Sequence, residues 1–445
     1  MRRIKAALRM CVVGSLVLLC FAQGRAQGSV GSVEGEPLFL IWDEQGKYGF
    51  MDATGRVRIK PQYDGALPFT EGLAAVSSKG LWGFIDTTGR TVVPLTYRGV
   101  SPFSDGVADV TVTAASAPYP CGYIDHSGRY VIKPQNKFTC TDFKEGFAVV
   151  GVYDEQIGES LDGYINKSGE LAIGGGYSRA DNFSEGLARV NDFNETYFIN
   201  REGETAINLK GYAGTDTLSD EYEPSGSFSE GLAEVGITVF SSYGYSRFGF
   251  VDKRGKVVFK LPERMRAEGA FHDGRALVLL TKTEKVKVDL GDEVISQEVE
   301  VALYGYINST GALSIPARFS EGEDFSDGVA VVRSGQPRPA FPRDLDGSAA
   351  ADAFADRSGD WLCINRAGAV VIKKCGEPLS SDELTDKFPM FGEGFGKGFV
   401  GGLFFHKTRV GNKDLYAYMD KSGQQLWLQP HGPNVRPPRW WRENF

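Results

Sequence analysis

Short alternating runs of large apolar and small residues, each closed by a glycine turn, dominate the chain. In Trp82-Gly83-Phe84-Ile85-Asp86, Trp82, Phe84 and Asp86 point one way while Gly83 and Ile85 point the other, which is the period of a β-strand. Glycine inside such a run marks the close approach of another backbone or ring. The Asp86-x-x-Gly89 that follows reads as a reverse turn, with the aspartate capping turn amides and the glycine taking positive φ. Thr91-Val92-Val93 then pairs back beside the first strand, and Pro94 ends it because proline cannot donate to a ladder. A second signature, Phe–x–Glu/Asp–Gly–Leu–Ala–x–Val, turns the chain again and starts the next strand, as in Phe69-Thr70-Glu71-Gly72-Leu73-Ala74. Each unit therefore predicts about three short antiparallel strands.

The unit recurs nine times, with its turn glycines at Gly55, Gly89, Gly128, Gly169, Gly203, Gly255, Gly311, Gly368 and Gly423. The spacing is 34, 39, 41 and 34 residues over the first five copies and widens to between 52 and 57 afterwards. A lone three-stranded unit buries too little to stand alone, so neighbours must stack and share a core. The expected fold class is all-β: a tandem array of three-stranded units in an open, twisted, solenoid-like arrangement. The alternative is a β-propeller, whose blades want four strands in about 40 residues. The array is expected over 38–428, after a short linker at 27–37 and before a Pro/Arg/Trp-rich tail at 429–445. The extra residues read as insertions: a protruding hairpin at 285–301 and a Pro-, Asp- and Ala-rich loop at 336–360.

The Gly-Phe/Tyr-Ile-Asp-x-x-Gly and Phe-Ser-Glu-Gly-Leu-Ala signatures resemble those of the bacterial WG-repeat proteins, named for the Trp-Gly that stands here as Trp82-Gly83. The resemblance covers roughly Leu38 to Leu428. It implies an all-β array, often on exported or envelope-associated proteins, and brings over no catalytic residue.

Export changes how the remaining residues read. Residues 1–26 have the form of a secretory signal, with Arg2, Arg3, Lys5 and Arg9 ahead of an apolar run from Met10 to Ala22, then Gly24-Arg25-Ala26 for cleavage. Lipoprotein anchoring at Cys20 fits less well, because Leu19 stands where a small residue is expected. No later stretch is long and apolar enough to span a membrane. Removing the signal takes away five cations and moves the formal charge from −8 to −13, which disfavours nucleic acid or anionic lipid as the main partner. Four cysteines remain, Cys121, Cys140, Cys363 and Cys375. They allow three connectivities, and local pairing within one repeat, Cys121–Cys140 and Cys363–Cys375, is favoured.

Candidate chemistry is sparse. His126, His272, His406 and His431 never share a metal-ligand spacing, and no nucleophile elbow, phosphate loop or zinc-protease motif is present. Asp344-Leu345-Asp346-Gly347 resembles the start of a calcium loop, but Ala355 stands where its bidentate glutamate belongs. Glu71, Asp105, Glu145, Glu185, Glu230, Asp273 and Asp327 recur at one position and read as a turn requirement. Neither a cofactor nor a metal is expected. The reading is an exported repeat scaffold that binds a glycan or protein of the cell envelope and is not an enzyme. Trp82, Tyr123, Tyr164 and Tyr304 are its candidate stacking aromatics, against the alternative that they form the core between units. A purely structural envelope spacer, or a hydrolase with its site in the irregular second half, are the other readings.

Overall fold

The computed structural model describes residues 36–113, 120–136, 139–154, 157–209, 221–238, 246–289, 294–335, 338–339, 359–380, 383, 396–410 and 413–429. The segment read as a secretory signal, the linker up to residue 35, the calcium-loop resemblance and the C-terminal tail from residue 430 lie outside the described residues. So does nearly all of the 336–360 insertion.

Among the described residues the regular structure is strand, in nine small antiparallel sheets. They follow one another along the chain as blades I (38–63), II (65–97), III (99–135), IV (147–177), V (179–207), VI (221–260), VII (265–319), VIII (321–372) and IX (399–429). Blade II shows the plan: Gly65–Ala66, Leu73–Ser78, Leu81–Asp86 and Thr91–Tyr97 lie side by side in chain order. Ala74 and Val76 are fully buried, as are Phe84 and Ile85, so both faces of the middle strands pack on neighbours. The last strand of the blade exposes alternate residues and forms its free edge.

The glycine of the Trp-Gly pair has a steric cause. The pairing of Leu81–Asp86 with Thr91–Tyr97 slips between Trp82 and Phe84, and this irregularity brings the last strand inward. A Cβ on Gly83 would lie 2.4 Å from the Val93 carbonyl oxygen and 2.6 Å from that of Pro94. Gly49, Gly122 and Gly305 face the same clash in their own blades.

The Phe-x-Glu-Gly segment forms a two-residue hairpin loop. Thr70 and Leu73 exchange backbone hydrogen bonds, and the two residues between them, Glu71 and Gly72, have φ of 50° and 83°. The same left-handed φ occurs at Asp105, Glu145, Glu185, Glu230, Asp273 and Asp327, where a non-glycine residue is disfavoured.

The sheets form a closed ring, a nine-bladed β-propeller. The glycine of each Asp/Asn-x-x-Gly turn abuts a residue on the last strand of the preceding blade. Gly89 meets Ile59, Gly128 meets Val93, Gly169 meets Ile132, Gly203 meets Ile173 and Gly255 meets Ile207. Gly311 meets Phe259, Gly368 meets Ile315, Gly423 meets Ile372, and Gly55 of blade I meets Leu426 of blade IX, which closes the circle. One core cluster joins Leu40, Trp42, Tyr48 and Phe50 of blade I to Phe405, Tyr416 and Tyr418 of blade IX. The Trp42 N–H donates to the Gln429 side chain at 3.2 Å, linking residues 387 apart in sequence.

This corrects the expectation of an open array in favour of the β-propeller alternative; blades I and IV have the three strands expected, and the other blades carry at least one more. The three-strand reading omits a two-residue strand, such as Gly65–Ala66 or Gly99–Val100, too short to show any periodicity. The insertion at 285–301 does form a hairpin: Ala276–Asp289 pairs with Val294–Ile307 along its whole length, continuing the two middle strands of blade VII.

Candidate functional site

Most residues that stand out in the sequence are consumed by the ring. Trp82, Tyr123 and Tyr164 are buried at 4%, 1% and 0% exposure, and Tyr304 is half-buried against the core of blades VII and VIII. Trp82 covers Gly65, and the Tyr123 hydroxyl donates to the Thr141 carbonyl at 2.8 Å. Tyr164 donates likewise to the Asp181 carbonyl at 2.7 Å. Trp82, Tyr123 and Tyr164 are therefore core side chains and present no open face for stacking on a glycan. The cysteines pair locally, Cys121 with Cys140 and Cys363 with Cys375.

The repeated acids have a role beyond the turn. Each carboxylate reaches the turn glycine N–H of the next blade: Glu71 to Gly106 at 3.0 Å, Glu145 to Gly186 at 2.8 Å, Glu185 to Gly231 at 3.0 Å and Glu230 to Gly274 at 2.8 Å. Asp105 accepts from Gly146, Asp273 from Gly328 at 2.7 Å and Asp327 from Gly402 at 2.8 Å. A basic side chain of that next blade joins most of these bonds: His126 on Glu71, Lys167 on Asp105, Lys253 on Glu185, Arg366 on Asp273 and Lys421 on Asp327. Ser104, Ser184 and Ser229 add a hydroxyl bond to the next blade's phenylalanine carbonyl at 2.7–2.8 Å. The acids are interblade latches.

Among the other histidines, His272 lies 4.0 Å from Asp324. His406 is buried in blade IX, where burial pulls its imidazole below the usual value, and His431 lies outside the described residues. Among the described residues, no group of three or more His, Cys, Asp or Glu side chains could hold a metal ion.

The repeat is broken at the seam between blades VI and VII. Blade II has Leu67-Pro68 before its turn phenylalanine and Ala75 in the strand after it; blade VI has Gly226-Ser227 and Glu234, and blade VII has Gly269-Ala270. The same pair is Ser101-Pro102, Thr141-Asp142, Asp181-Asn182 and Glu323-Asp324 at other copies, and where small pairs adjoin at blades VI and VII there is a cavity of about 490 Å³, walled by Phe248, Phe250, Arg266 and Glu268 as well as Glu234. Burial pushes the Glu234 carboxyl up to about 7, and the Glu268 charge adds to this. The Ser225 hydroxyl, Arg266 and Arg189 act in the opposite sense. Oε1 of Glu234 is buried with no hydrogen-bond partner. Arg266 Nε is bonded to Glu268 at 2.5 Å, and Arg189 to Asp181 at 2.7 Å. Behind Gly269 sits the carboxylate of Asp324, which a Cβ on that glycine would strike at 2.6 Å.

A second polar seam lies between blades III and IV. Burial raises the Asp109 carboxyl to about 7, the Ser101 hydroxyl opposes this, and neighbouring Asp142 reinforces it. Glu234 and Asp109 escape a motif search because each occupies the variable position of Leu/Val-Ala-x-Val. The available signal is a carboxylate at a strand position where other copies carry Ala75, Val149, Arg189, Leu277, Val331 or Phe405.

Comparison with known proteins places the repeat. A family model described as "WG containing repeat" matches residues 48–82, 82–112, 122–154, 163–197 and 304–336. No curated protein matches. Among solved structures, a crystal structure of the eukaryotic initiation factor is similar at 10% identity and a TM-score of 0.35, covering 76% of this chain and 95% of that one. A quinohemoprotein alcohol dehydrogenase from Comamonas testosteroni is similar at 12% identity and a TM-score of 0.30, covering 82% and 66%. At those scores neither likeness bears on activity.

Proposed function

We propose, from repeats that match the WG-repeat model and blades that close into a ring, that the chain is an exported, non-catalytic binding module of the bacterial cell envelope, with a glycan or protein ligand. The observation that carries this reading is the division of labour among its residues. The repeated aromatics and acids are spent on holding blade to blade, and the irregular VI/VII seam departs from the repeat by opening a cavity with a buried carboxyl. A rigid frame bearing a local exception is the form of a binding scaffold. Export is supported by the basic-then-apolar start of residues 1–26 and by two disulfides, which persist in oxidising compartments. Among the described residues no helix is long and apolar enough to cross a membrane.

The test is binding of residues 27–445 to a glycan and peptidoglycan panel, with and without calcium. Saturable binding without turnover is expected; silence across the panel would exclude carbohydrate recognition. One observation favours a hydrolytic second reading: Glu234, with its carboxyl pushed up to about 7, shares the cavity with Glu268, which Arg266 holds in an ion pair. Glycoside hydrolysis uses such a pair of unlike carboxyls. Cleavage of a panel glycan that is lost in Glu234→Gln would establish it.

A further inference from the structure

The VI/VII cavity is short of hydrogen-bond donors. Glu234 and Glu268 both line its wall. The nearest basic groups are already engaged, Arg266 with Glu268 and Arg189 with Asp181 and the Ser225 carbonyl. Oε1 of Glu234 is left with nothing to accept. A buried acceptor in that state gains most from a donor that also carries positive charge, because the charge offsets the cost of ionising the acid where water is excluded. An anion would meet two acids and one neutralised arginine. Half-buried Phe248 supplies an apolar wall against which the body of a ligand, or a cation, can rest, with fully buried Phe250 packed behind it. The volume, about 490 Å³, suits a small molecule or a single residue-sized group.

We propose that this cavity is a subsite for a protonated primary amine carried on a small body, held by Glu234 against the Phe248 ring. The inference rests on the binding-module reading and names the ligand chemistry of its cavity. An amino sugar and an aliphatic amine share that chemistry, and the experiment separates them.

Calorimetric titration of residues 27–445 with glucosamine, cadaverine and N-acetylglucosamine is the test. At least one of the two amines is expected to bind, and N-acetylglucosamine, whose nitrogen is an uncharged amide, is expected not to. Preference for glucosamine over cadaverine would identify a sugar amine as the source, and the reverse an aliphatic one. Cadaverine stays protonated across the neutral range, so any pH dependence of its affinity belongs to the protein. With Glu234 titrating near 7 among Glu268, Arg266 and Arg189, its affinity should rise about tenfold from pH 6 to pH 8. Glu234→Gln should lose at least tenfold in affinity together with the pH dependence, while its melting curve confirms that the variant is folded. Equal binding of the amine and the N-acetyl sugar, unchanged affinity in Glu234→Gln, or no amine binding at millimolar concentration would each overturn the proposal. Panel binding that persists in Glu234→Gln alongside silence towards amines would overturn this inference alone; silence in both assays would overturn it together with the glycan form of the module reading, leaving a protein ligand.

Discussion

Replacing Glu185 by glycine separates two explanations of the repeated acid that make opposite forecasts. Glu185 has φ of 55°, a conformation that costs an L-residue about 1–2 kcal/mol and costs glycine almost nothing. If the acid served only the turn, Glu185→Gly would be neutral or stabilising. The structure makes it a latch instead: its carboxylate accepts from the Gly231 N–H at 3.0 Å and pairs with Lys253 at 3.0 Å, both on the next blade. The charged hydrogen bond contributes about 1.5–3 kcal/mol and the half-exposed ion pair at most about 1 kcal/mol. Glu185→Ala loses all of this and keeps the backbone strain, so it should cost about 2–3 kcal/mol. Glu185→Gly regains the strain, less the extra freedom glycine has when unfolded, and should cost about 1 kcal/mol. The bond from the Glu185 N–H back to Glu145 uses backbone and survives in both variants. Urea midpoints should therefore rank wild type above Glu185→Gly above Glu185→Ala. A glycine variant as stable as wild type would refute the latch.

Gly83→Ala forces a methyl against two backbone carbonyls that cannot move aside; circular dichroism should show lost strand structure or a melting point well below wild type. Reduction of the Cys121–Cys140 and Cys363–Cys375 bridges, which close 19- and 12-residue separations, should cost about 3 kcal/mol each, read as a lower urea midpoint in dithiothreitol. For Glu234 the sign follows from a folded value of about 7 against an ordinary 4.5: the folded state holds the proton more tightly, so this group's contribution falls as pH rises from 4.5 through 7. Glu234→Gln should match wild type near pH 4.5 and exceed it by about 3 kcal/mol at pH 8 in urea unfolding; a gap that does not change with pH would contradict the burial of that acid.

The strands, the turns and the ninefold count are legible because they rest on local rules. Alternation around Trp82 and Phe84 and the positive-φ glycines each have a cause within a few residues, whereas Pro94 does not end its strand as expected: Thr91–Tyr97 runs through it on the free edge of the blade, where a missing N–H is tolerated. Closure into a ring does not have a local cause. It depends on Gly55 meeting Leu426 and Trp42 meeting Gln429, contacts between opposite ends of the chain that no repeat announces. The recurring glutamates were visible but their partners were not, since a turn and a latch require the same residue. Trp82, Tyr123 and Tyr164 read equally well as core or as binding face until burial is known. The cavity at blades VI and VII depends on two small pairs, Gly226-Ser227 and Gly269-Ala270, meeting at one seam, and that juxtaposition is visible only in the folded ring.

The joint between the first and last blades sets a schedule for the chain's birth. Eight of the nine interfaces bring together stretches adjacent in the order of synthesis, so each can form as soon as its second blade has emerged. The ninth needs Gln429 and Leu426 beside Trp42 and Gly55, almost the full length later. Until then Leu40, Trp42 and Phe50 lack the aromatic partners that Phe405 and Tyr418 supply. A nascent chain that has lost its last blade, through truncation or premature termination, is left as an incomplete circle with a sticky leading edge. Completion of the ring thus doubles as a check that synthesis has passed the last blade.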